Sequence, residues 1–266
     1  MGWVLVTNDD GVDSPALVPF ARALAERHAV RVVVPDRERS WVAKAITRYE
    51  PVSVGRSERE GIEVWTCSGY PADAVQLGIH ALFDEPPAMV VAGVNLGYNH
   101  GAGFLMSSGT VGAAVEAWVS GIPAVAFSTG TTVDWPAWRR RVESSEAGPG
   151  WSRLSKVCAG LLDEVTGSGL LGHADVVSVN LPFDATPSTP RRVTSIARVG
   201  YDRLFRQEAV DRFRHEFGGG LLEFAGLEGT DVDAARRGWV SITPVRLPQA
   251  AEVPASITES LEADRG

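Results

Sequence analysis

Short apolar runs alternate with longer stretches of helical spacing through the first 128 residues. Trp3-Val4-Leu5-Val6-Thr7 reads as a buried strand, and Val30 to Val34 as another, stopped by Pro35. Between them Ser14-Pro15 supplies an N-cap and a first helical residue, and Leu17, Phe20, Ala21 and Leu24 recur at helical spacing. Ile62 to Thr66 alternates weakly as a third strand, and Pro71 opens a helix with Val75, Ile79 and Leu82 on one face. Ala88 to Ala92 is strand-like and is followed by a Gly-rich loop from Gly93 to Gly103. A helix of small residues is predicted from Gly109 to Val119, and a strand from Pro123 to Phe127. Strands that alternate with helices in this way build a mostly parallel, Rossmann-like α/β sheet with helices on both faces.

The second half is less regular. Residues 129–150 are polar and Trp-bearing, a loop with a short helix. Leu154, Cys158, Leu161 and Val165 mark a buried helix face, and Asp175 to Asn180 a strand ended by Pro182. Residues 191–227 suggest extended segments or a hairpin arm, Trp239 to Thr243 one more strand, and the polar stretch from Glu252 a helical or frayed tail. The chain is read as one α/β unit over 1–266: a core over 1–128, its continuation over 129–190, and an arm, final strand and tail over 191–266.

Composition narrows the possible partners. Of the 266 residues, 25 are Lys or Arg against 33 Asp or Glu, a formal charge of -8, which disfavours a nucleic-acid polymer as main partner. Two cysteines, Cys67 and Cys158, are too few for a disulfide framework or a four-thiolate zinc site, and both are expected in the core. No apolar run reaches the ~18 residues of a membrane span, and Met1-Gly2-Trp3 lacks a basic leader. The expected location is the cytoplasm.

Open parallel sheets bind ligands beyond the carboxyl ends of their strands. The segments there are Asn8-Asp9-Asp10-Gly11, Asp36-Arg37-Glu38-Arg39-Ser40 and Gly93-Val94-Asn95-Leu96-Gly97-Tyr98-Asn99, all rich in oxygen ligands. Two adjacent carboxylates repel each other and repel a phosphate; a divalent cation resolves both conflicts. Donors from Asp, Asn and Ser suit Mg²⁺, Mn²⁺ or Ca²⁺, and these loops hold no His or Cys to favour zinc. Ser107-Ser108-Gly109-Thr110 opens the small-residue helix, and such a helix start attracts anions. The same residues also read simply as a capped turn and a tightly packed helix. The dinucleotide fingerprint, the P-loop and the Gly-x-Ser-x-Gly elbow are absent. Trp41 offers a ring for stacking beside Ser40, and Trp135 and Trp138 offer a lid.

In order and spacing, Val4 to Gly11, Val34-Pro35-Asp36-Arg37 with Arg39-Ser40, Pro71-Ala72-Asp73, Gly93 to Asn99 and Ser108 to Ala114 together resemble the SurE family of survival-protein nucleotidases. Val179 to Pro182, Gly229-Thr230-Asp231 and Val240 to Pro244 extend the resemblance over roughly residues 3–245. It implies a metal-dependent phosphomonoesterase for nucleoside monophosphates. Asp9, Asp10, Ser40 and Asn95 would hold the divalent ion, and Ser108-Gly109-Thr110 would bind phosphate. It also implies homodimers or homotetramers that exchange C-terminal segments. On this reading Asp9, Asp10 and Asn95 are catalytic, Asp9 as base or nucleophile, and Asn99, Ser107, Ser108, Gly109 and Thr110 contact the small phosphorylated substrate, the amide of Asn99 stabilising charge on phosphorus. The chain departs from the family pattern at Glu38 (usually Asn), at Trp41 (usually Gly), at Tyr70 and Ala74, and in the 100–107 loop, so the rim gains aromatic bulk. Alternatives are a family phosphatase specialised for a non-nucleotide biosynthetic ester, or a metal- and phosphate-binding protein without turnover. A haloacid-dehalogenase-type phosphatase is disfavoured by the adjacent acids and the lack of a placed Lys; a receiver domain is disfavoured by length as well.

Overall fold

The computed structural model describes residues 2–217 and 220–262. The chain runs β1 (Val4–Thr7), α1 (Leu17–Ala25), β2 (Val30–Pro35), β3 (Val54–Arg59), β4 (Ile62–Cys67), α2 (Pro71–His80) and β5 (Met89–Leu96). It continues with α3 (Gly101–Ser107), α4 (Gly109–Val119), β6 (Ala124–Gly130), α5 (Trp135–Val142), α6 (Gly148–Gly167) and β7 (Val176–Pro182). Next come β8 (Arg191–Val193), β9 (Val199–Tyr201), β10 (Phe205–Ala209), β11 (Arg212–His215), β12 (Leu221–Glu223), α7 (Asp231–Arg236), β13 (Val240–Val245) and α8 (Ala255–Leu261).

The central sheet has the order β3-β4-β2-β1-β5-β6-β7-β13-β8. From β4 to β7 all neighbours are parallel, while β3 runs antiparallel to β4 and β13 antiparallel to β7 and parallel to β8. The fold is therefore the expected mixed α/β fold with a large, mostly parallel sheet flanked by helices. From β1 the chain builds outward through β2 and β4, then returns to place β5 on the other side of β1. The strand order reverses between β1 and β5, and that reversal opens a crevice at their carboxyl ends.

Strand alternation sends β1 side chains to two cores. Val4 and Val6 join Phe20, Leu24, Phe127, Trp151 and Leu154 on the face covered by α1, α5 and α6. Leu5 joins Val33, Val75, Ile79, Ala113 and Ala117 under α2 and α4. Phe20 and Phe127 meet edge to face with centroids 5.8 Å apart, and burying each such ring contributes about 1.5–3 kcal/mol. Cys67 and Cys158 are buried and free.

Several expectations are corrected. Ser14 does not cap α1; the helix starts at Leu17 after a turn, with Ala16 at its N-cap and no side-chain cap. The strand expected to end at Ala92 continues to Leu96. The end of the expected Gly-rich loop, from Gly101, is already α3, whose first amide, Gly101 N–H, donates to Asp231 Oδ2 at 2.7 Å. That acceptor lies 130 residues away in sequence, so local spacing carries no trace of it. Residues 129–150 hold α5, and the long helix α6 opens already at Gly148. The polar strand β3 is exposed at every position and exists by pairing with β4, where Arg56 faces Trp65. The arm is present as the hairpin β10–β11 and the pair β9–β12. Of the polar tail, 255–261 is helical, and residues 263–266 lie outside the described residues. Among the described residues no helix is long and apolar enough to cross a membrane.

Candidate active site

The crevice begins with a turn closed by Asn8. Its side-chain oxygen accepts from Gly11 N–H at 3.0 Å, and its Nδ2 donates to Gly11 O at 3.1 Å. This short polar side chain folds the backbone back on itself, so Asp9 and Asp10 stand at the corner. Gly11 has φ +82, and a Cβ there would lie 2.5 Å from the carbonyl carbon of Arg37. Only glycine lets this turn press against the segment that follows β2.

That segment is stitched across the site. Arg39 N–H donates to Asp9 O at 2.7 Å, and Ala43 N–H donates to Ser107 O at 3.0 Å. Farther along, Thr47 N–H donates to the Asp73 carboxylate at 3.1 Å. Lys44 forms an ion pair with the buried Glu116 of α4. Ser40 lies between these stitches and is exposed; its hydroxyl donates to Glu38 Oε1 at 2.8 Å.

The helix α4 supplies the facing wall. Ser108 is its N-cap, its Oγ accepting from Val111 N–H at 3.0 Å. The Thr110 hydroxyl donates to Asp9 Oδ1, and a Cβ on Gly109 would lie 2.9 Å from Asp9 Oδ2. Asp9 is thus packed on the first turn of the helix. Asp10 Oδ2 accepts from Leu96 N–H at 3.0 Å, beside Asn95 at the end of β5. Asn95 turns its Nδ2 to Gly97 O at 2.7 Å.

A polar row lies behind this crevice. Asn95, Ser128 and Asn180 sit opposite one another on β5, β6 and β7, all buried. Asn180 Oδ1 accepts from Asn99 N–H at 2.8 Å, and Asn99 Nδ2 donates to Ser128 Oγ at 2.8 Å. The Asn99 backbone proton, expected on a phosphoryl group, is engaged by Asn180 here. The Thr110 proton is likewise committed to Asp9. Ser107 is the last residue of α3, where its hydroxyl donates to Gly103 O at 2.9 Å and lies 2.9 Å from the Tyr201 hydroxyl. Ser108 retains its own hydroxyl proton, because its oxygen acts as acceptor in the cap.

Electrostatics set the acid pair apart. Burial lifts Asp9 from 3.8 to about 6, against the pull of the Thr110 hydrogen bond. Burial and then the charge of Asp9 hold Asp10 well above the usual carboxylate range. Among the described residues neither acid has an ion-pair partner. Arg139 of α5 favours the Asp10 charge from a distance, but its guanidinium pairs with Glu38 at 3.5 Å and Glu143 at 2.7 Å. Two neighbouring acids without a paired cation are a standing cost that a divalent ion removes. Among the described residues no three of His, Cys, Asp and Glu gather into a cluster, so an ion here takes its remaining donors from neutral oxygens. The donor set fits a hard cation.

The family model described as Survival protein SurE matches residues 4–204. The chain belongs to the SurE family. Relatives called 5'-nucleotidase SurE share 36% identity over 260 residues in Methanoregula boonei, covering 97% of both chains. The relative of that name from Archaeoglobus fulgidus shares 36% over 259 residues, covering 96% of this chain and 95% of the relative. The crystal structure of the SurE protein from Aquifex aeolicus superposes with a TM-score of 0.73 at 29% identity, covering 97% of this chain and 99% of that one.

Four contributors to this SurE site were given no role of their own by the sequence. Asn8 shapes the acid turn, Asn180 and Ser128 hold Asn99, and Arg139 reaches the site from a segment expected to be mostly loop. A signal for the middle two exists: each is a polar residue at the end of an otherwise apolar run, Ala-Val-Ala-Phe-Ser and Val-Val-Ser-Val-Asn. Arg139 has none beyond its membership of an Arg-Arg-Arg run.

Proposed function

We propose that this chain is a divalent-metal-dependent phosphomonoesterase that hydrolyses nucleoside monophosphates. As a SurE family member it is a phosphoric monoester hydrolase, and the relatives are named for a 5'-nucleotidase activity. The observation that carries the finer reading is the buried Asp9 and its part-buried neighbour Asp10, without a paired cation, set against the first turn of α4. Asp9, Asp10, Ser40 and Asn95 would hold the ion, with Mg²⁺ or Mn²⁺ the suited metals. When bound, the ion supplies Lewis-acid polarisation and a more acidic water.

The chain's own groups do the rest. The helix N-terminus at Gly109-Thr110 and the Ser108 hydroxyl receive the phosphoryl oxygens. Asp9 takes the proton of the water that attacks phosphorus as the ester P–O bond breaks and the alcohol leaves, or itself displaces the alcohol to give an acyl phosphate that water then hydrolyses, and Thr110 holds its carboxylate in place. The reading treats residues 1–266 as one unit in the cytoplasm, with the 191–266 arm and tail exchanged between protomers of a homodimer or homotetramer. The test is release of inorganic phosphate from a panel of phosphomonoesters with Mn²⁺, Mg²⁺ or EDTA, repeated with Asp9→Asn. EDTA is expected to abolish turnover, and the substitution to lower it about 10³-fold. Full turnover under either condition overturns the scheme.

A further inference from the structure

Trp41 follows the exposed Ser40 in the stitched segment and adopts φ +61. A bulky residue is a clear outlier in the left-handed region, and such strain persists only where surrounding structure holds it. What holds it is a set of four rings from three separate parts of the chain. Trp41 meets Tyr201 of β9 with centroids 5.3 Å apart, His215 of β11 at 4.9 Å, Phe104 of α3 at 5.8 Å and Phe217 at 6.0 Å. The first three contacts are edge to face and the fourth is tilted, and 38% of the residue stays exposed.

This ring set stands at the mouth of the crevice. The Trp41 segment is bound to Asp9 O through Arg39 on one side and to Ser107 O through Ala43 on the other. The Tyr201 hydroxyl sits 2.9 Å from Ser107 Oγ, immediately before the capping Ser108. A phosphomonoester whose phosphorus lies between the acid pair and the α4 N-terminus must extend its alcohol portion out of the crevice, past this rim. A propped, part-exposed indole offers a leaving group a stacking surface that needs no further ordering.

We propose that Trp41, braced by the arm residues Tyr201 and His215, is a specificity-determining residue that selects phosphomonoesters with a planar aromatic ring on the alcohol side. The inference rests on the phosphomonoesterase reading above and deepens it.

The test compares adenosine 5'-monophosphate with ribose 5-phosphate, which share the scissile ester and differ by the base. Stacking of a base on an aromatic side chain supports about a tenfold preference for the former in kcat/KM, carried by KM. In Trp41→Gly the ratio is expected to collapse toward one, while Trp41→Phe restores most of it. A melting temperature that does not fall in Trp41→Gly separates this effect from misfolding, because glycine relieves the strained φ. A ratio unchanged in Trp41→Gly overturns the inference and leaves the phosphatase standing. A wild-type protein that hydrolyses neither ester overturns the phosphatase reading. Calorimetric titration with the two esters then decides the stacking, and equal affinity for both refutes it.

Discussion

The acid turn after β1 and the hairpin β10–β11 are built on opposite principles. Asp9 is buried over a core of parallel strands, and every neighbour that shapes it, from Asn8 to Thr110, is fixed by a hydrogen bond or a close backbone approach. The hairpin is exposed along both strands and joins the rest of the molecule through rings gathered around Trp41. The contrast teaches where chemistry and selectivity can be placed. A charge pair that must be kept out of water needs the deepest scaffold. A surface that only has to meet a leaving group needs a brace and little more.

Substitutions that load each region separately break or sharpen this contrast. The largest stability loss belongs to the core: Phe127→Ala removes a fully buried ring and is expected to cost about 3–5 kcal/mol in chemical denaturation. An ion at the acid turn comes next. At one hundred times its Kd, Mn²⁺ or Mg²⁺ is expected to stabilise the fold by about 2.7 kcal/mol, read as a melting temperature that rises with the ion and falls with EDTA. The pH dependence without the ion follows from the raised Asp9. Below its ordinary value of 3.8 the acid is protonated both folded and unfolded. Between 3.8 and about 6 the unfolded chain releases the Asp9 proton first, so the metal-free fold loses stability as pH rises, and the raised Asp10 acts in the same direction. A melting temperature that climbs across the window in EDTA would contradict this.

Gly112→Ala acts on the seam between the two regions. Its Cβ would lie 2.2 Å from Ala43 O, so the segment carrying Ser40 and Trp41 must lift from α4. Turnover is expected to fall about tenfold or more through displacement of the site, with the protein still folded by circular dichroism. The smallest effect belongs to the arm. Phe213→Ser, at an exposed position on β11, is expected to stay within about 0.5 kcal/mol of wild type. A larger loss in the assembled protein would show that this ring is covered by a second copy.

Much of the site could be read from the chain because its parts fall at strand ends, and strand ends are visible as apolar runs that stop. The Asp9-Asp10 turn, the Ser40 segment and Asn95 lie at such breaks, while α4 starts one residue after α3. The spread of donors across them was not readable. Thr110 looked like a phosphate ligand and is committed to Asp9, and the Asn99 amide is taken by Asn180 from 81 residues away. The helix α3 and the edge strand β3 escaped for the same reason: glycine-rich or polar sequence adopts regular structure there through Asp231 and through pairing with β4.

Periodicity determined by itself that this chain makes a parallel α/β sheet, because alternating burial and helical spacing are local properties of a dozen residues at a time. It also determined that acidic and hydroxyl groups would crowd the carboxyl ends of that sheet. Tertiary structure alone decided which of those groups keep a free hydrogen-bonding capacity and which are consumed by a neighbour. It alone brought the arm's rings to Trp41. A hydrogen bond or a ring contact depends on separations of a few ångströms between residues far apart in sequence, and only the folded chain sets those separations.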